Sequence, residues 1–70
     1  MIDLAKTFAS NCRFFREEMQ LTQEQLAQKM KLHRARVAEV ERGRKDFKLS
    51  TVEQFAAIFK KSPSQMIAPH

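Results

Sequence analysis

One cysteine, one glycine and two histidines in 70 residues leave this chain few ways to do chemistry. A lone Cys12 cannot close an internal disulfide, and no Cys/His cluster has zinc-ligand spacing, so a reducing cytoplasm is the natural setting and Cys12 reads as core. His33 and His70 stand among scattered carboxylates that make no catalytic set, and so small a bundle has no room for a substrate pocket. Neither an enzyme nor a cofactor is expected, and no small-molecule ligand is evident. The scarcity of glycine argues against β-hairpins. No apolar run approaches the roughly 18 residues that a membrane span needs. Asp3 and Lys6 interrupt what would have to be the apolar region of a signal peptide, so a soluble, untargeted chain without a membrane partner is expected.

What is present suits a compact helical domain: 43% hydrophobic and 30% charged residues, with six Phe and four Met. A single domain spanning 1–70 buries only about 60% of the surface its unfolded chain exposes, so stability is expected to be marginal and dimerisation would help it. The net charge of +5 is local: 1–28 hold three basic and four acidic groups, 29–48 eight and three, and 49–70 two and one. By itself such a basic stretch is as readily a solvated surface as a binding face.

Apolar residues at Leu4, Ala5, Phe8, Cys12, Phe15 and Met19 recur every three or four positions and predict a helix from Asp3, its N-cap, to Met19. Phe14 lies off that stripe and either covers a neighbouring element or marks a partner surface. Thr22 and Gln25 form a capping box flanked by Leu21 and Leu26 as a hydrophobic staple, so a second helix starts at Gln23 and runs through Leu26, Ala27 and Met30. A polar turn at 31–33 precedes a third helix from Arg34 to about Arg42, which Gly43 follows where a left-handed cap is wanted. Ser50 and Glu53 predict the start of a fourth helix carrying Val52, Phe55, Ala56 and Phe59. Ser62, Pro63 and Gln65 announce a short fifth one ending near Ala68. The fold class is therefore all-α, with a five-helix bundle, a helix-turn-helix at 23–42 and C-terminal helices within 50–68.

Two short helices joined by a tight turn, the second one basic, describe a DNA-binding helix-turn-helix. Small Ala27 lets the two approach, Leu26, Leu32, Val37 and Val40 supply a shared interior, and Arg34, Ala35, Arg36, Ala38 and Glu39 are left to face outward. Arg16, Leu21-Thr22-Gln23-Glu24-Gln25-Leu26-Ala27, the run Val37 to Gly43 ending Glu41-Arg42-Gly43, and Ala56 together resemble the XRE-type regulators related to phage Cro and repressor proteins. The resemblance covers roughly residues 12–67. It implies a lambda-repressor-like domain that binds double-stranded operator or promoter DNA as a homodimer and reads the major groove with the helix beginning at Arg34. It also implies a largely buried ion pair between Arg16 and Glu41, and a phosphate contact at Gln23. A bacterial or phage protein, cytoplasmic and nucleoid-associated when bound, follows from the same likeness. The sequence departs from the family at Gln20, Lys31 and Lys60, where glycine is common, so those turns either carry a conformational cost or use different caps. It departs again at His33, in place of a Ser, Thr or Asp cap, and at Phe47, in place of Pro.

Arg34 and Arg36 can each offer a fork to guanine O6 and N7, or a contact to phosphate, and Arg34 at the start of the helix is the stronger base reader. Glu39 can accept from cytosine N4 or simply pair with Arg36 or Arg42. Ala35 and Ala38 permit close approach and can touch a thymine methyl. Gln23 at a helix N-terminus, together with Arg42, the Gly43 backbone, Arg44 and Lys45, suits phosphate; His33 is either a phosphate contact or neutral surface. Phe47, Leu49, Met66 and Ile67 are candidates for a dimer surface, or else close the bundle's own core. The rival function is an antitoxin-type or other protein-binding module whose partner is a toxin or RNA polymerase; a membrane-surface basic helix is weaker, because the basic residues sit on short helices and loops.

Overall fold

The computed structural model describes residues 3–43 and 48–69. Among them are five helices and no strand: α1 (Leu4–Glu18), α2 (Gln23–Met30), α3 (Arg34–Glu41), α4 (Leu49–Phe59) and α5 (Pro63–Met66). No helix is long and apolar enough to cross a membrane among these residues. α2 packs against α3, and α1 lies across α3, α4 and α5. Phe8, Cys12, Leu26, Ala27, Val37, Val40, Val52, Phe55, Ala56, Phe59 and Met66 form the core, with Phe15, Leu21, Met30, Leu32, Ile58 and Ile67 packed at its edge. Phe8 meets Phe55 edge-on at 6.0 Å between ring centroids, and Phe15 tilts over Phe59 at 5.8 Å.

The expected α1 stripe is buried at Ala5, Phe8 and Cys12, but Leu4 and Met19 at its two ends are 48% and 41% exposed. An α-helix rises about 1.5 Å per residue, so the 15 residues of α1 outreach the shorter helices beneath it. Phe14 is half-exposed and stands edge-on to Phe15 at 5.5 Å. Asn11, passed over in the apolar periodicity, is buried: its amide Nδ2 donates to the carbonyls of Met66 and Ala68, both at 2.8 Å, and of Gln65 at 3.3 Å. Those bonds occupy the C-terminal carbonyls of α5, which ends at Met66 rather than near Ala68.

Helix starts follow their caps at Asp3, Thr22 and Ser62, and the last two form complete capping boxes. α4 differs. It begins at Leu49 with Lys48 as an N-cap that makes no side-chain bond, so the Ser50 and Glu53 pair lies inside the helix. The amides of Thr51 and Val52 both reach the Lys48 carbonyl, at 2.9 and 3.2 Å, and Thr51 is buried; tertiary packing of the first turn outweighs the local cap.

Gln20, Lys31 and Lys60 all adopt φ +58°, the left-handed conformation. Each closes its helix with the same double hydrogen bond. The residue after it reaches back five positions (Leu21 to Arg16, Leu32 to Ala27, Lys61 to Ala56), and the residue itself reaches back three. The turns thus keep the geometry that glycine would serve and carry its cost, about 1–2 kcal/mol per non-glycine residue. All three side chains are exposed, so substitution removes no core contact.

Replacing Gln20, Lys31 or Lys60 by Gly should therefore stabilise by about 0.5–1 kcal/mol each, after allowing for the greater freedom of glycine in the unfolded chain. Thermal unfolding followed by circular dichroism would read this as a rise of about 2–8 °C per site; a fall at all three would contradict the assigned strain. Burial, reinforced by the Glu41 carboxylate, pushes the Cys12 thiol well above its ordinary range. Cys12 should resist thiol reagents in the folded protein and react at the rate of global unfolding, which a denaturant series of labelling rates would test.

Candidate nucleic-acid interface

The helix-turn-helix is held from behind by one carboxylate. Glu41, the last residue of α3, is 3% exposed. It receives Arg16 Nε on Oε2 at 2.8 Å and Arg16 Nη2 on Oε1 at 3.1 Å, a bidentate pair between α1 and α3. Arg16 Nη1 donates onward to the Leu21 carbonyl at 2.9 Å, closing the α1–α2 turn, and Arg13 Nη1 donates to the backbone carbonyl of Glu41. The hydrogen bond to Glu41 raises the Arg16 guanidinium further above its already high range, so this cation does not titrate under ordinary conditions.

The same carboxylate reaches the outer face. Gln23, the first residue of α2, donates Nε2 to Glu41 Oε1 at 3.1 Å, and its Oε1 accepts from Arg34 Nη1 at 3.3 Å. The amide is thereby oriented, and the first side chain of α3 is tied to the first side chain of α2. His33, the N-cap of α3, is exposed and makes no side-chain cap bond.

Of the residues expected to read bases, Arg34, Ala35 and Arg36 are exposed and Ala38 and Glu39 are half-buried, all on the side of α3 away from Val37 and Val40. Arg36 Nη1 pairs with Glu39 Oε1 at 3.2 Å, and Arg36 Nη2 donates to Thr51 Oγ1 on α4 at 3.1 Å. Among the expected phosphate contacts, Gln23 is half-buried, Arg42 is exposed and Gly43 has φ +78°. A Cβ at Gly43 would sit 3.6 Å from its nearest neighbours, so the left-handed backbone, not space, calls for glycine there. Arg44 and Lys45 lie outside the described residues.

The dimer candidates separate. Leu49 is 68% exposed, whereas Met66 is fully enclosed in the core, with Asn11 bonded to its carbonyl. Met66 is therefore corrected from surface to core: the α5 turn folds its side chain inward. Ile67 is half-buried against that core, and Phe47 lies outside the described residues. Sequence reasoning missed Arg13, Asn11 and Thr51. Asn11 alone carried a signal, as a polar residue beside Cys12 within an apolar stripe; long-range partners decide the other two.

No group of three or more His, Cys, Asp or Glu side chains among the described residues could hold a metal ion. Residues 13–66 match a helix-turn-helix family model. No curated protein matches the chain. Among solved structures, the crystal structure of the hypothetical transcription factor NHTF from Neisseria is similar, with 36% sequence identity and a TM-score of 0.85 over 94% of this chain and 76% of that one.

Removing one partner of a buried ion pair typically costs about 3–5 kcal/mol, comparable with the whole stability of so small a domain. Arg16→Ala should thus leave the chain largely unfolded at 37 °C by circular dichroism. Arg13→Ala, which gives up a contact to one carbonyl, should cost only about 1 kcal/mol. A melting temperature retained in Arg16→Ala would remove the pair from its structural role.

Proposed function

This chain belongs to the helix-turn-helix family, and on that premise we propose that it is a sequence-specific transcriptional regulator that lays α3 in the major groove of double-stranded DNA. The observation that carries the reading is the outer face of α3. Arg34 and Arg36 are exposed there, and Gln23 at the N-terminus of α2 is oriented beside Arg34 by the Glu41 carboxylate. Arg34 reads guanine from the start of α3, and Gln23 couples it to a phosphate at the free amides of α2. Arg36 and Glu39 read neighbouring positions, with Ala35 and Ala38 allowing close approach. Arg42 and the Gly43 amide hold phosphate beyond the end of α3, joined by His33, Arg44 and Lys45.

The protein acts as a homodimer on a palindromic operator, as a repressor that includes its own promoter among its targets. The exposed Leu49, close in sequence to the basic residues Arg44, Lys45 and Lys48, contributes to the dimer contact. The transcription-factor designation of the similar Neisseria protein supports the regulatory role.

Selection of bound fragments from random DNA should return a two-fold symmetric motif with half-sites about one helical turn, roughly 34 Å, apart. If about six phosphates are neutralised per dimer, log K should fall against log salt with a slope of about −5. Arg34→Ala should relax discrimination at one base pair by about 1–3 kcal/mol, whereas Arg42→Ala should weaken all sequences alike. Failure to retard any DNA would overturn the reading in favour of a protein partner.

A further inference from the structure

We propose that Thr51 is a specificity-determining residue: from the first turn of α4 it positions the Arg36 guanidinium over the outer face of α3. The inference rests on the DNA-binding reading above.

Arg36 is half-exposed, and its pair with Glu39 is an exposed contact one helical turn away, with both side chains at 42%. Such pairs are weak and do not hold a long side chain in one place. The second contact differs in kind. Thr51 is 4% exposed, and its Oγ1 accepts a charge-assisted bond from Arg36 Nη2 at 3.1 Å. Its backbone is fixed by the hydrogen bond that the Thr51 N–H donates to the Lys48 carbonyl at 2.9 Å, so the hydroxyl is a stationary anchor on a different helix. A guanidinium has five N–H donors, and the bonds to Glu39 and Thr51 use one on Nη1 and one on Nη2. The arginine is braced without being consumed.

Bracing acts on specificity more than on affinity. A guanidinium already held in place loses less freedom on meeting the matching base, and it cannot swing to satisfy itself on a phosphate when the base is wrong. Without the hydroxyl, the side chain can do so, which raises binding to mismatched DNA relative to the matched site.

The test compares wild type with Thr51→Val, which removes the hydroxyl and keeps the branched shape, and with Thr51→Ser, which keeps the hydroxyl. Each full-length protein is selected against random DNA and titrated with the wild-type motif, with single-base variants of it and with non-specific duplex; its melting temperature is measured alongside. Thr51→Val should lose roughly 2- to 10-fold of discrimination at one base pair, through tighter binding to the mismatched duplexes, with the salt slope on the matched site unchanged, and Thr51→Ser should retain it. The double variant with Arg36→Ala should discriminate no worse than Arg36→Ala alone. Unchanged discrimination in Thr51→Val, or equal weakening on every sequence in step with a lowered melting temperature, would overturn the proposal while leaving the regulator intact. A wild-type protein that selects no motif would overturn both.

Discussion

A carboxylate taken out of water at the end of α3 sets the terms for the rest of this domain. Glu41 is almost completely enclosed, and an isolated charge there would be prohibitive; it persists because Arg16 meets it with two hydrogen bonds and Gln23 with a third. The arginine comes from α1, the amide from α2 and the acid from α3, so satisfying one buried group fixes three helices relative to one another. Arg16 also bonds the Leu21 carbonyl, and through it the α1–α2 turn that leads to the Thr22 cap is tied into the same arrangement. A wholly apolar contact of similar size would bury surface without specifying these orientations.

The surface inherits that order. Gln23 is held on one side by Glu41, and on the other it holds Arg34, so the side chain at the start of α3 is set indirectly by a pair lying behind the helix. Arg36 is set from the opposite direction, by Thr51 on α4. The two arginines thus report on different parts of the fold, one on the α1–α2–α3 junction and the other on the packing of α4. Arg42 and Gly43, the proposed phosphate contacts, follow directly after Glu41 and take their positions from where α3 ends.

Holding this arrangement costs the chain something at its turns. Three helices end in left-handed residues that are not glycine, and in each the two backward hydrogen bonds of the cap are kept. The double cap compensates part of the steric penalty by pairing carbonyls that a helix end otherwise leaves open. Lys61, following one of these caps, places its ammonium 5.0 Å from the centre of the Phe15 ring, a cation–π contact at the edge of the core.

Local rules made much of this legible. Thr22 with Gln25 and Ser62 with Gln65 marked two helix starts, Gly43 marked a left-handed exit, and the three- and four-residue spacing of Ala5, Phe8 and Cys12 marked the buried face of α1. The same reasoning failed where two local signals competed or a distant partner intervened. Ser50 looked like a cap, but the packing of Thr51 draws the start of α4 forward; Met66 stood open between dimer surface and core, and the structure encloses it, with Asn11, far away in sequence, bonded to its carbonyl. The sequence by itself determined the five helices, the helix-turn-helix and the identity of the basic face, because each rests on backbone propensity, capping and periodicity within a few residues. The Arg16–Glu41 pair was anticipated by the family likeness, and it is present in the structure; only the tertiary structure decided which other polar groups meet. The bonds from Arg13 to the Glu41 carbonyl, from Arg34 to Gln23 and from Arg36 to Thr51 join residues on different helices, and their partners are chosen by the angles at which those helices pack rather than by anything adjacent in the chain.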